Sequence, residues 1–424
     1  MLSKFKNNDF VKSVSVLMTG TILSQIVNYA FTPILSRIYT VEEMADLGLY
    51  LRISAFIVGI ATARFEMTLP LPKNDTHSFL LYRLSVQISL YIMLLVGIIG
   101  SVYVFIRPFS WFNIWFLLLV ISGSAFTVMI NLGTNWSIRN NTFHLISRSR
   151  IINAFASNAL KLGFGFLKFG SIGLLLGTVL GYIASSFQFL KEYLLNRTNY
   201  KKFYSKVKQR ILILEYKQFP LVNLPHSLSD LGRDLLIASL IVFSFGKEVF
   251  GWYSYSVLML NIPVALIGVA ISQVFYNRAA KMVNEGHSVY SLVKKTILTL
   301  FLLSVIPFGV LHFFSEQLFM LVLGEKWKMA GTYAEIMVFY NLFNFLVSPM
   351  ANLSLVLNRQ KEFFVSALIN SAGQVLILFI FPFLLGNNLE DFTAVLWILT
   401  IFQSFMMLVN AFLYLKYSKS ERLK

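Results

Sequence analysis

HSLSDLGRDLLIASLIVF, residues 226–243, sets Asp230, Arg233 and Asp234 at the head of a run that is otherwise mostly apolar. An ionised side chain at the centre of a helix in lipid costs roughly 2.5–3.5 kcal/mol on insertion scales, so charges there need one another or an aqueous face. Stepped at about 100° per residue, Asn223, His226, Ser227, Asp230, Arg233 and Asp234 fall within about 60° of one line, and Leu228, Leu231 and Leu235 take the other side. The stretch reads as a membrane-spanning helix with one wet face.

The rest of the chain supplies the membrane context. Hydrophobic residues make up 57% of it, aromatic residues 16% and charged residues only 13%. Apolar stretches of about 20 residues, the length that crosses a hydrocarbon core, recur throughout. They predict an all-α polytopic membrane protein with about 12 transmembrane helices, near 13–36, 44–70, 79–106, 111–138, 149–168, 172–194, 219–244, 250–278, 291–315, 330–358, 362–386 and 391–416. Lys4 and Lys6 precede the first of these, which is long, interrupted by Gln25 and Asn28, and lacks a small-residue cleavage site; it reads as an uncleaved first span rather than a signal peptide.

The net charge of +17 distributes by loop. With a cytoplasmic N-terminus, 26 of the 36 Lys and Arg fall on the cytoplasmic side, six on the opposite side, and Arg52, Arg64, Lys161 and Arg233 within spans. The positive-inside rule then places both termini in the cytoplasm. The densest cluster, EYLLNRTNYKKFYSKVKQRILILEYK at 192–217, mixes cations with Tyr and Phe, yet as a central cytoplasmic loop it needs no partner beyond phospholipid headgroups, and nucleic acid is not expected. It divides the chain into a six-helix bundle over 1–194, a basic linker over 195–218 and a second six-helix bundle over 219–424. Both bundles start on the same side, so they form a parallel repeat; GLY at 48–50 and GWY at 251–253 open the second span of each half.

Span 1 carries a milder polar stripe, Thr21, Gln25, Asn28, Thr32 and Ser36, with Pro33 as a bend. Two polar first helices suggest a water-filled cavity between the halves, lined by Gln25, Asn28 and Asn223. Arg52 lies about 12 Å below the outer end of span 2 and Lys161 about 18 Å above the inner end of span 5, with Arg64 near the cytoplasmic edge. On an ideal helix Glu66 lies within about 40° of Arg52, and Arg64 about 120° away. Two readings of Asp230, Arg233 and Asp234 stay open: mutual neutralisation in a packed bundle, or a path for a charged cargo or a coupling ion such as H+ or Na+.

Enzyme chemistry finds no residues. There is no cysteine, which removes disulfides, thiolate metal sites and thiol catalysis. There is no D-x-D, H-E-x-x-H, G-x-S-x-G or P-loop, the five histidines are scattered singly, and no cofactor or metal is expected. The longest external loop, near 316–329, is too short to build an outward-facing polymerase or ligase site.

GWYSYSVLMLNIPVALIGVAISQVFYNRAAK at 251–281 resembles the eighth span of bacterial oligosaccharide flippases of the O-antigen type, within the multidrug and oligosaccharidyl-lipid exporter superfamily. PILSRIYTVEEMADLGLY at 33–50 with ARFEMTLPLPK at 63–73 is similar to their first hairpin, and GEKWKMAGTYAEIMVFYNLFNFLVSPMANLSLVLNRQKEFF at 324–364 to their tenth span. The resemblance implies two six-helix bundles around a central cavity, alternating access, and residence in the bacterial cytoplasmic (inner) membrane. It implies a cargo of short glycan on polyprenyl diphosphate, turned to the outer leaflet for lipopolysaccharide-type synthesis, with polysaccharide polymerase machinery as a partner. Arg52, Arg64, Lys161 and Arg233 are then candidates for the diphosphate or acidic sugars, and Asp230, Asp234 and Glu66 for ion coupling or charge balance. Only Arg64 and Glu66 sit in a family pattern, R-F-E. The alternative within the superfamily is an ion-coupled exporter of drugs or small solutes; a membrane glycan polymerase or ligase is third.

Overall fold

The computed structural model describes residues 2–106, 110–200, 204–264, 268–357 and 359–419, with side chains from Ser15 onward except at Val269, Ala270 and Gln273. Arg107, Lys201, Lys202, Arg422 and Lys424 of the charge pattern lie outside the described residues, as do Ala265–Ile267 and Asn358 of the flippase-like stretches. The described chain is helical from end to end: α1 (Leu2–Ile38), α2 (Val41–Ala61), α3 (Asp75–Ile106), α4 (Trp111–Arg139), α5 (Phe143–Phe166), α6 (Gly170–Tyr200), α7 (Lys206–Glu215), α8 (Leu224–Phe245), α9 (Lys247–Leu260), α10 (Val269–Asn284), α11 (Tyr290–Leu323), α12 (Lys328–Val347), α13 (Leu353–Val356), α14 (Gln360–Leu385) and α15 (Leu389–Ser418). Eight segments are long and apolar enough to cross a membrane: α2, α3, α4, α6, α11, α14, α15 and the segment from Glu325 to Val356. This is a multi-pass membrane protein. The helices α1, α5 and α8 are also long, but their polar residues keep them off that set.

Lipid tails are as apolar as leucine, so helices in a membrane hold together by close packing and polar contacts rather than by excluding water. The chain divides into two compact units, Met1–Leu235 and Leu236–Lys424. In the first, α6 presents Gly173, Gly177, Gly181 and Ser185 at four-residue spacing to α5. A Cβ on Gly177 would stand 2.8 Å from the backbone nitrogen of Lys161, and one on Gly181 2.6 Å from the Cβ of Ser157. At the far end Ser149 donates to the Ser185 carbonyl at 3.1 Å. The α1–α5 seam follows the same rule, with Gly20 against Ser147 and the Ser147 hydroxyl donating to the Val16 carbonyl at 2.6 Å. On the other side of α6, Phe189 fills the space over Gly133 of α4.

The second unit repeats the pairing of the first: its second, third and sixth spans pack on its fourth, and its fifth on its sixth, as in the first unit. Here Trp252 of α9 donates to the Lys326 carbonyl at 2.9 Å and Ser256 to the Ala330 carbonyl at 2.6 Å. Gly331 of α12 lies against the Glu316 backbone of α11, and Gly373 of α14 against the Phe402 ring of α15. The tyrosines matched by GLY and GWY are both buried, each edge-on to a phenylalanine, Tyr50 to Phe116 at 6.4 Å and Tyr253 to Phe392 at 6.3 Å. One pairing differs: α1 docks along α5, whereas α8 makes no extensive seam with α14 or with any other described helix.

Several expectations are corrected. The 195–218 stretch, expected as a basic linker, is partly helical: α6 runs to Tyr200 and α7 packs on α3, with Gln209 donating to Gln87 at 3.1 Å and Arg83 stacked 3.9 Å over the Tyr204 ring. The tenth span changes to a 3-10 turn at Ser348–Met350 between α12 and α13, beside Pro349, which has no amide proton; in the eighth span the chain turns at Asn261 and is helical again at Ile262 and Pro263, and 265–267 lie outside the described residues. The external loop near 316–329 shrinks to Gly324–Trp327, since α11 extends to Leu323 and Trp327 is buried. Pro33 does not interrupt α1.

The α5–α6 seam yields a prediction. Gly177→Leu should lower stability by about 2 kcal/mol or more, because the side chain has to enter space held by Lys161. Gly309→Ala, where a Cβ meets nothing within 4 Å, should not destabilise. Thermal unfolding of the detergent-solubilised variants measures both.

Candidate functional site

The charged candidates all lie in the first unit, and the structure sorts them into two places. The larger group lies around the contact between α2 and the first half of α8, Arg52 on the α2 face that meets it and the α8 charges off it. Arg52, Phe56 and Gly59 fall at i, i+4 and i+7 of α2, hence on one face. Leu231 of α8 packs onto Gly59, and Gly232 lies beside the Phe56 ring, 3.7 Å from its virtual Cβ. The apolar side of α8 thus faces α2, and the charged side turns away from the contact.

At the C-terminal end of that face the helix stops. A threonine capping box at Thr40 and Glu43 opens α2, but after Ala61 the backbone turns left-handed at two successive non-glycine residues, Ala63 (φ +49°) and Arg64 (φ +64°). A single 3-10 turn, Phe65–Thr68, comes next. The ideal-helix angles expected for Arg64 and Glu66 therefore do not hold: the turn re-aims both. Left-handed backbone costs an L-residue roughly 1–2 kcal/mol, so the surroundings must hold it. Glu66, 6% exposed, accepts from the Thr62 hydroxyl and lies 3.4 Å from Arg64 Nη1. Arg139 of α4 pins the segment after the turn, donating to the Pro72 carbonyl at 2.6 Å and to Asp75 at 2.8 Å, while Ser78 donates to the Leu69 carbonyl at 2.6 Å. In the sequence Arg139 reads as a loop cation; the carbonyls left free around Pro70 and Pro72 are the signal that points to its role.

Arg64 keeps a donor in reserve. Its side chain is 22% exposed, yet its Nε is buried and has no hydrogen-bond partner among the described residues. Close to it in the fold, the 3-10 turn neighbours a single π-helical stretch, Phe219–Asn223, that leads into α8. Asn223 ends that stretch, its carbonyl accepting from Ser227 at 2.9 Å.

In α8 itself Arg233 serves both carboxylates. Its Nη2 and Nε reach Asp234 Oδ1 at 3.0 and 3.1 Å, and Nη1 lies 3.7 Å from Asp230. The guanidinium is 24% exposed, whereas the Asp230 and Asp234 side chains are 52% and 53% exposed. Mutual neutralisation is real, but it leaves both carboxylates facing outward.

The remaining candidates are not on this seam. Lys161 sits on the α5–α6 contact, its stem against Gly177 and its carbonyl accepting from the Tyr39 hydroxyl at 2.6 Å. Because α5 begins at Phe143, six residues earlier than expected, Lys161 lies about 27 Å from its start and close to its far end, not at mid-helix. The α1 stripe turns partly into α5: Asn28 accepts from Asn158 at 2.7 Å, and Thr21 accepts from Arg150. Gln25, half-buried, lies between them along α1. Among the described residues no cluster of His, Asp and Glu could hold a metal ion.

This fold is shared with transporters of the MOP superfamily. The lipid II flippase MurJ, in an inward closed conformation, matches with a TM-score of 0.74 at 15% identity over 96% of this chain and 90% of its own. An inward-facing multidrug resistance MATE family transporter matches at 0.62 and 12% identity over 97% and 98%, and a MOP superfamily transporter from Pyrococcus furiosus at 0.52 and 12% over 97% and 95%. A sequence comparison with curated proteins gives no match. The chain belongs to the polysaccharide biosynthesis protein family, whose model matches residues 72–332.

The left-handed turn yields a second prediction. Ala63→Val should cost at least about 1 kcal/mol, because a β-branched residue is excluded from this backbone region, whereas Ala63→Gly should be tolerated to within about 0.5 kcal/mol. The unfolding midpoints of the purified variants distinguish the two.

Proposed function

We propose that the protein is a flippase that turns polyprenyl-diphosphate-linked oligosaccharide from the cytoplasmic to the outer leaflet by alternating access, in the bacterial inner membrane, for O-antigen-type surface polysaccharide. The observation that supports it most is Arg64: a guanidinium with a buried donor unused, just past the end of α2, the helix whose face carries Arg52. A diphosphate cannot cross about 30 Å of hydrocarbon without replacement of its hydration, and planar guanidinium donors at successive depths along α2 and α8 can supply it. The prenyl tail stays in lipid. Membership in a polysaccharide biosynthesis family fits a glycan cargo.

A second reading, an ion-coupled exporter, draws on the exposure of Asp230 and Asp234, which leaves them open to H+ or Na+. The two readings separate by cargo. Arg64→Gln and Arg52→Gln should insert normally, since each removes an intramembrane charge, and should each cause lipid-linked glycan to accumulate on the cytoplasmic face; Lys should rescue partly, keeping charge but losing bidentate contact. Normal glycan export in both Gln variants would overturn the flippase reading. For Arg233→Gln, a partner change Asp234→Asn tests charge balance: recovery in the double variant assigns Arg233 to neutralisation alone.

The orientation carries its own prediction. Both termini and the α6–α7 region should face the cytoplasm, so in this cysteine-free chain Ser205→Cys should resist an impermeant thiol reagent in intact cells and Lys326→Cys should react. The reverse pattern would invert the topology.

A further inference from the structure

In the second unit, α10 and the first turns of α11 enclose a groove to which the proposed transport assigns no role. Its mouth is a cavity of about 340 Å³ walled by Arg278, Lys295, Ser291, Thr296 and Thr299. An overlapping space of about 350 Å³, which shares Arg278, Thr296, Ile271 and Leu292 with it, extends to Val274 and Phe275. Arg278 lies six residues before the end of α10 and Lys295 five residues after the start of α11, so both cations sit where a membrane-spanning helix reaches the surface. The apolar wall runs the other way, toward the middle of the helices. The groove is therefore amphiphilic along its length, basic at the rim and apolar below.

Its polar groups are uncommitted. The one carboxylate on the α10–α11 connection, Glu285, already lies 3.8 Å from Lys281 and 3.7 Å from His287, and neither Arg278 nor Lys295 has an ion pair among the described residues. Many hydroxyls on spanning helices bond back to their own backbone, as Thr178 does to Leu174 and Ser304 to Phe301, each at 2.8 Å, while others, such as those of Ser124 and Thr400, have no partner among the described residues. Ser291, Thr296 and Thr299 form no such bond among the described residues, which leaves three donors beside two cations.

We propose that this groove is a binding site for an anionic phospholipid: the headgroup phosphate is held by Arg278 and Lys295 with the hydroxyls of Ser291, Thr296 and Thr299, and an acyl chain lies along Ile271, Val274 and Phe275. Charge complementarity selects the occupant, because a zwitterionic lipid brings an ammonium to a rim that has no free carboxylate, and a soluble anion leaves the apolar half empty. The site rests on the geometry of the second unit alone and does not depend on what the first unit carries.

The test uses the full chain in nanodiscs with a photo-activatable phosphatidylglycerol and a matched phosphatidylcholine, crosslinks being mapped by peptide mass spectrometry. The expected result is preferential labelling by phosphatidylglycerol within 271–300. Arg278→Gln with Lys295→Gln should reduce it about tenfold, while Lys294→Gln, outside the groove, leaves it unchanged. Thr296→Trp, which fills the cavity and keeps both charges, should also abolish labelling, and unchanged gel-filtration elution shows that each variant folds. Equal labelling by the two lipids, or labelling indifferent to both variants, overturns the proposal. So does displacement by an equimolar polyprenyl diphosphate, which would make the groove a cargo port.

Discussion

Close helix approach through residues without bulk is the constraint on which the rest of this protein depends. In hydrocarbon, apolar side chains gain little by meeting one another, so a helix pair is stable only where backbones come near enough for dispersion and for hydroxyl-to-carbonyl bonds. The Gly173–Gly177–Gly181–Ser185 ladder on α6 does this for α5, and α5 in turn holds α1 through Ser147 and Asn158. The first unit is thereby anchored on three helices, and two of them, α1 and α5, are among the long helices too polar to be recognised as spans by composition. Packing, not lipophilicity, fixes them in place.

Against that anchored frame α8 stands out. The boundary between the two units falls within it, at Leu235, and it lacks the lateral seam that α1 has. Its contact with α2 is short, Leu231 and Gly232 against Gly59 and Phe56, and uses small or apolar groups only. Arg233 bonds Asp234 and approaches Asp230 on its own helix. Its second half is better packed, with Ile237, Ala238 and Ile241 buried and the Phe245 ring 4.9 Å from Phe392.

How much of this is legible in the sequence depends on whether the signal is local. The twelve apolar segments, the repeat and the wet face of residues 223–234 follow from composition and a regular 3.6-residue period, and the helices form where those patterns put them. The turn at Ala63 and Arg64 is invisible because neither residue favours a left-handed backbone; it is imposed from outside by Arg139, about 75 positions downstream, and by Thr62 on Glu66. The α7 packing is hidden for a similar reason. A basic, aromatic stretch reads as lying against phospholipid headgroups, and its partners Gln87 and Arg83 on α3 are long-range pairings that no local pattern announces.

The same distinction explains why the cations separate as they do. All four group together in the sequence because each is costly in lipid, but cost alone does not say how it is met. Lys161 lays its stem along Gly177, a position selected by packing, and Arg233 is met by two carboxylates on its own helix. Arg64 is different in kind: its one acidic neighbour, Glu66, is also engaged by Thr62, its backbone is strained, and its Nε remains without a partner among the described residues. A buried donor left unsatisfied costs about 1–3 kcal/mol, and added to the left-handed backbone this is a large local destabilisation for a marginally stable fold. Such a cost persists where a ligand that comes and goes can relieve it. Under the proposed function, an anion that accepts from Arg64 Nε as it passes along α2 would do so, which puts the strained R-F-E turn, rather than the more conspicuous charges of α8, first among the positions to test for cargo contact.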